Sequence, residues 1–136
     1  MIDAALRELV VERAKRRCEY CQIPQSAVTF RAFHVEHIRA RQHGGNDNAS
    51  NLCLACHRCN AYKGPNLTSV DPDTQAVVPL FNPRQQDWAE HFGFRNAEIV
   101  GLTEVGRATV SLLRVNDEQR VALREELLAL GQLPEY

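Results

Sequence analysis

The sequence has 136 residues and a formal net charge of -1, enough chain for one ordinary domain with an appendage and too little for two comfortable ones. Its 44% hydrophobic and 24% charged content is that of a soluble globular protein, and no apolar run approaches the roughly 20 residues that a membrane helix needs. The charge is unevenly placed: residues 1–63 hold ten Lys/Arg against six Asp/Glu, and residues 64–136 hold six against eleven. The front half is therefore suited to an anionic partner and the back half is not.

In chain order, Asp3 caps a first predicted helix with Leu6, Leu9, Val10 and Ala14 on one stripe, running into the basic segment 13–17. Acids come early in this segment and no basic-then-apolar leader is visible, so the expected location is cytoplasmic. Val28 to Ile38 is rich in Val, Phe and Thr and reads as extended, and Gly44-Gly45-Asn46-Asp47 reads as a tight loop. A second strand is expected through Asn51-Leu52-Cys53-Leu54, then a short helix over His57 to Lys63 ended by Gly64-Pro65. Beyond it four prolines punctuate a stretch with one strand at Gln75 to Phe81. A helix opened by Asn82-Pro83 and running through Trp88 and His91 follows, then a strand near Glu98 to Leu102, a helix capped by Thr103, and a last helix opened by the capping box Asn116-Asp117-Glu118-Gln119 and stopped by Gly131. The expected division is 1–66 and 67–136, the second part packed on the first.

Cys18-Glu19-Tyr20-Cys21 and Cys56-His57-Arg58-Cys59 are two Cys-x-x-Cys pairs. In a chain without a secretion signal such pairs point to metal rather than disulfides, and four thiolates around one tetrahedral Zn²⁺ leave no open position, so the zinc is structural. Cys53 makes a competing Cys-x-x-Cys with Cys56 but is read as a buried strand residue, since Cys is common in cores.

The segment Phe33-His34-Val35-Glu36-His37-Ile38, then Gly44-Gly45, Asn51-Leu52 and Cys56-His57-Arg58-Cys59-Asn60-Ala61-Tyr62-Lys63-Gly64 closely resembles the HNH nuclease motif. The resemblance covers residues 18–64. It implies an α+β fold with a ββα-metal core, and a metal-dependent DNA endonuclease in which His37 is the general base, Asn51 holds the loop, and Glu36 and Asn60 bind the catalytic metal. The family usually has Asp or His where this chain has Glu36. Oxygen donors at Glu36 and Asn60 suit Mg²⁺ or Mn²⁺, and a histidine of ordinary pKa, about 6.5, is neutral enough at physiological pH to accept a water proton. Adjacent strand residues face opposite ways, so a bend or the loop must bring Glu36 and His37 together. Arg39, Arg41, Arg58 and Lys63 are expected to contact the DNA backbone.

His57, a turn before Asn60, reads as a surface residue, with assistance to the metal as the alternative, and His34, His43 and His91 have no partner that the sequence identifies. Trp88, Phe92 and Phe94 read as packing residues. Val77 through Arg107 is similar to extensions that follow HNH cores in some short bacterial proteins. The competing readings are a non-cleaving zinc-stabilised module that binds nucleic acid or protein, and a domain whose acidic second half docks a protein partner.

Overall fold

The computed structural model describes residues 1–134, which divide into two compact units: residues 1–66 with 82–85, and residues 67–81 with 86–134. Among the described residues the fold is mixed α+β, with three separate two-stranded antiparallel sheets. Among the described residues no helix is long and apolar enough to cross a membrane.

In the first unit, helix α1 (Ala4–Arg13) starts where the Asp3 carboxylate accepts from the Leu6 N–H at 2.8 Å, relieving one of the unpaired donors of a helix start. Of the expected apolar stripe only Val10 is fully buried, and Leu9 is half exposed. The helix is held instead by Arg13, whose guanidinium donates to the carbonyls of Ala49 and Leu52. Strands β1 (His34–His37) and β2 (Leu52–Ala55) pair with His34 opposite Ala55 and His37 opposite Leu52. All four β2 residues are buried, so this strand is sandwiched and its run of apolar residues does not alternate.

Helix α2 (His57–Lys63) follows and packs on β1, completing a ββα unit. The extended stretch expected from Val28 shortens to β1 alone; residues 25–27 form a 3-10 turn. The connection between the strands needs both of its glycines. Gly44 has φ +84°, and a Cβ on Gly45 would lie 1.7 Å from the Arg39 carbonyl oxygen, so no side chain fits there. Residues 82–85 belong to this unit through Arg84, which pairs with Glu19.

In the second unit the expected strand near Gln75–Phe81 is β4 (Val77–Pro79), and its partner β3 (Thr68–Val70) was not anticipated. The helix expected from Asn82 is only one turn, α3 (Trp88–His91), because the chain turns straight into β5 (Phe92–Arg95), which pairs with β6 (Glu98–Gly101). Helix α4 (Glu104–Leu113) carries the expected cap, Thr103, whereas α5 (Glu118–Ala129) starts one residue into the expected capping box, capped by Asp117, because the Asn116 side chain bonds Ile99 instead. Trp88, Phe92, Phe94 and Phe81 form one aromatic cluster with neighbouring centroids 5.0–5.3 Å apart. These rings are packing residues, as their sequence context suggested. Arg124 is fully buried in this unit and donates through Nε and Nη2 to the carbonyls of Ala97 and Val115 and to Asn116 Oδ1, which offsets part of the cost of a charge inside.

Candidate active site and zinc centre

The Sγ atoms of Cys18, Cys21, Cys56 and Cys59 all lie within 4.8 Å of one another, and all four residues are buried. Each pair forms a knuckle: the Cys21 N–H donates to Cys18 Sγ and the Cys59 N–H to Cys56 Sγ, the second contact also capping α2. None of the thiols is in a disulfide. Thiol donors on Cys18, Cys21 and Cys59 hold Cys56 well below the usual thiol range, while burial lifts Cys18 far above it. A divalent cation would offset the penalty of burial by favouring the thiolate form of its ligands. The cluster suits structural zinc. Cys53 stands outside it, on β2, with its Sγ 3.6 Å from the Tyr20 hydroxyl and 3.9 Å from Glu36 Oε2.

The neighbours Glu36 and His37 occupy separate environments, as strand alternation dictates. Glu36 is 6% exposed, opposite Cys53 on β2, with Oε1 3.2 Å from the Lys63 ammonium. Burial raises its pKa to about 7, against the pull of Lys63. Its Oε1 atom is buried without a hydrogen bond of good geometry. Lys63 differs from expectation: it is 2% exposed and donates to the Ile38 carbonyl at 2.9 Å, so its charge is directed into the fold rather than toward a phosphate in solvent. The reason is that α2 lies along β1 and turns its last residues inward.

This pairing has a measurable consequence. Replacing Lys63 with methionine removes the only counter-charge recorded for Glu36 among the described residues, and breaking a buried pair from one side costs about 3–5 kcal/mol. The Lys63→Met protein should therefore unfold at clearly lower denaturant concentration. Adding Glu36→Gln should recover much of the loss, and a double-mutant cycle on urea unfolding reads the coupling directly.

His37 faces the loop. Its Nε2 lies 2.7 Å from Asp47 Oδ1, and Arg41 donates to both oxygens of the same carboxylate. The Met1 ammonium, 2.6 Å away, then His37 and then Arg41 hold Asp47 well below the usual carboxylate range. An ionised carboxylate only accepts, so His37 donates through Nε2 and leaves Nδ1 as its lone-pair nitrogen. Asn51 fixes the loop from within, accepting from the Arg39 N–H and donating to the carbonyls of Arg39 and Asn46. Asp47 is the functional candidate that sequence reasoning passed over; its only signal was an acid in a glycine-rich loop.

Asn60 lies one turn after His57 on α2, partly exposed, and no side-chain hydrogen bond is recorded for it among the described residues. Arg39 and Arg41 are exposed, on the loop that follows β1. Arg58 lies with its guanidinium carbon 5.9 Å from the centroid of Tyr62. His57, read from sequence as a surface residue, is engaged with both His34 and Arg31. His91, also without an expected partner, bonds Thr103 Oγ1 at 2.7 Å.

No curated protein and no solved structure matches the chain. A family model, that of the HNH endonucleases, matches residues 18–66, the stretch from the first zinc-site cysteine to just past α2. With the motif residues, the ββα arrangement and the four-cysteine cluster all inside that stretch, residues 18–66 of this chain are a domain of the HNH endonuclease family.

Proposed function

We propose that the domain is a metal-dependent endonuclease that hydrolyses phosphodiester bonds in DNA, with His37 as general base. The observation that carries this reading is the His37–Asp47 pair, which commits Nε2 as a donor and leaves Nδ1 to take a proton. In the reaction a water oxygen attacks phosphorus while its proton passes to His37 Nδ1; the bond to the leaving oxygen breaks, and that oxygen is protonated from solvent. Asp47 holds the imidazole in one tautomer and stabilises the imidazolium that forms. Asn51 keeps the loop, and so Asp47, in place.

The oxygen donors proposed for a divalent cation are Glu36 on β1 and Asn60 on α2, the two elements that pack together in this unit. Glu36 Oε1 makes no hydrogen bond of good geometry but is ion-paired with Lys63 at 3.2 Å, so it would ligate a cation by giving up that pair, and the Asn60 amide is uncommitted among the described residues; both are oxygen donors of the kind Mg²⁺ or Mn²⁺ takes. Such a cation supplies positive charge for the phosphorane-like transition state and the leaving oxygen. Arg39 and Arg41, exposed on the loop after β1, and Arg58 on α2 would position the DNA backbone, as phosphate contacts do without reading sequence. Structural zinc in the four-cysteine cluster holds the hairpin and helix that carry these groups.

The test is conversion of supercoiled plasmid by zinc-loaded protein with Mg²⁺ or Mn²⁺ added, compared with the same protein without either. Omission is preferable to a chelator, which would strip the zinc as well. Nicking or linearisation only with added cation is the expected result; binding without cleavage under every condition would refute the enzyme. In the same assay Asp47→Asn should lower the rate by about 10²-fold or more while leaving plasmid binding nearly unchanged, because it upsets the tautomer rather than the surface charge that holds DNA.

A further inference from the structure

His34 Nε2 and His57 Nδ1 are 3.3 Å apart, with ring centroids at 5.5 Å and planes tilted by 38°. As a hydrogen bond this is long. As an edge of a coordination shell it is well matched, since two nitrogens each about 2.0–2.1 Å from one tetrahedral ion lie about 3.3–3.4 Å apart. The pair sits on the seam between β1 and α2. His34 is two residues before Glu36 on the same face of β1, and His57 is one turn before Asn60 on α2.

We propose that His34 and His57 form a two-imidazole site for a borderline divalent transition cation, of the Ni²⁺, Co²⁺ or Zn²⁺ class, distinct from the four-cysteine cluster. Imidazole nitrogens favour such ions, whereas Mg²⁺ prefers oxygen. This deepens the nuclease reading and rests on it in one respect: the site adjoins Glu36 and Asn60, so it biases the cation that serves the reaction toward transition metals.

Arg31 makes the site conditional. Its Nη1 lies 2.8 Å from His57 Nε2, and a guanidinium can only donate, so that nitrogen holds a lone pair and the proton of the neutral ring is on Nδ1. The order of donation is then Arg31 to His57 to His34. Coordination through His57 Nδ1 reverses it: the proton moves to Nε2, and Arg31 must let go. A cation at the pair thus frees an exposed guanidinium, for which a phosphate is a natural partner.

The experiment is a calorimetric titration of Ni²⁺ into protein already loaded with one zinc, with metal analysis afterwards to verify that the zinc stays. A single added equivalent is expected for the wild type. His34→Ala, which leaves both knuckles untouched, should weaken that binding by at least about tenfold, and Arg31→Met should tighten it several-fold by removing the competing donor. No added equivalent, or an affinity indifferent to His34→Ala, overturns the site; so does weaker binding in Arg31→Met. Plasmid cleavage with Mg²⁺ alone separates the two readings. Undiminished cleavage in His34→Ala with no Ni²⁺ binding in the wild type leaves the nuclease and removes this site, whereas His34-dependent Ni²⁺ binding without cleavage by any cation retains the site and removes the nuclease.

Discussion

Replacing His37 with alanine is expected to lower the plasmid cleavage rate by about 10²–10⁴-fold, the usual contribution of a positioned general base. The fold should tolerate the change. His37 is partly exposed on an edge facing the loop, with a side-chain exposure of 20%, and no buried carboxylate depends on it, since Asp47 keeps Arg41 as a partner. Circular dichroism and zinc content should match the wild type while turnover collapses. A rate within a factor of about three of the wild type would mean that the proton goes elsewhere, and the reading of Nδ1 as the acceptor would be wrong. Glu36→Gln is a weaker test of the same chemistry, because it also unpairs the buried Lys63.

The parts of this site that the sequence made legible are those whose spacing is itself the signal. Two Cys-x-x-Cys pairs converge because each knuckle sets its own geometry, and the pair of glycines marks a loop because neither position has room for, or tolerates, a side chain. The β1–loop–β2–α2 order follows from turn residues and caps, so its outline was readable too. Contacts between residues distant in sequence were not. Asp47 meets His37 only because Asn51 folds the loop back, and His34 meets His57 only because α2 lies across β1. Lys63 shows the same limit from the other side: a lysine at a helix end looks solvated until the helix is placed on a strand carrying Glu36. In the second unit β3 and β5 escaped notice because strands of three and four residues are too short to display a period, and their pairing partners stabilise them more than their own composition does.

Removing the zinc should have the largest effect on stability, because binding a structural zinc is worth on the order of 10 kcal/mol or more and a small unit has little else to replace it. Cys59→Ser is the informative variant, with Cys53→Ser as its counterpart. The two serines distinguish the registers that the sequence left in competition, Cys53-x-x-Cys56 and Cys56-x-x-Cys59. With Cys59 in the cluster, its serine variant should bind less than one zinc per chain and lose hydrogen-exchange protection across β1, β2 and α2. Cys53 contacts Tyr20 and Glu36 instead, so Cys53→Ser should keep its full equivalent of zinc and lose only about 1–3 kcal/mol for a hydroxyl in a buried strand. The opposite pattern, zinc retained without Cys59 and lost without Cys53, would move the metal by one knuckle. Cys56 belongs to both registers and cannot discriminate, although its serine variant should also fray α2, whose first turn it caps. Since β1 carries His37 and α2 carries Asn60, losing the clamp should abolish cleavage even though the zinc ligands themselves are buried.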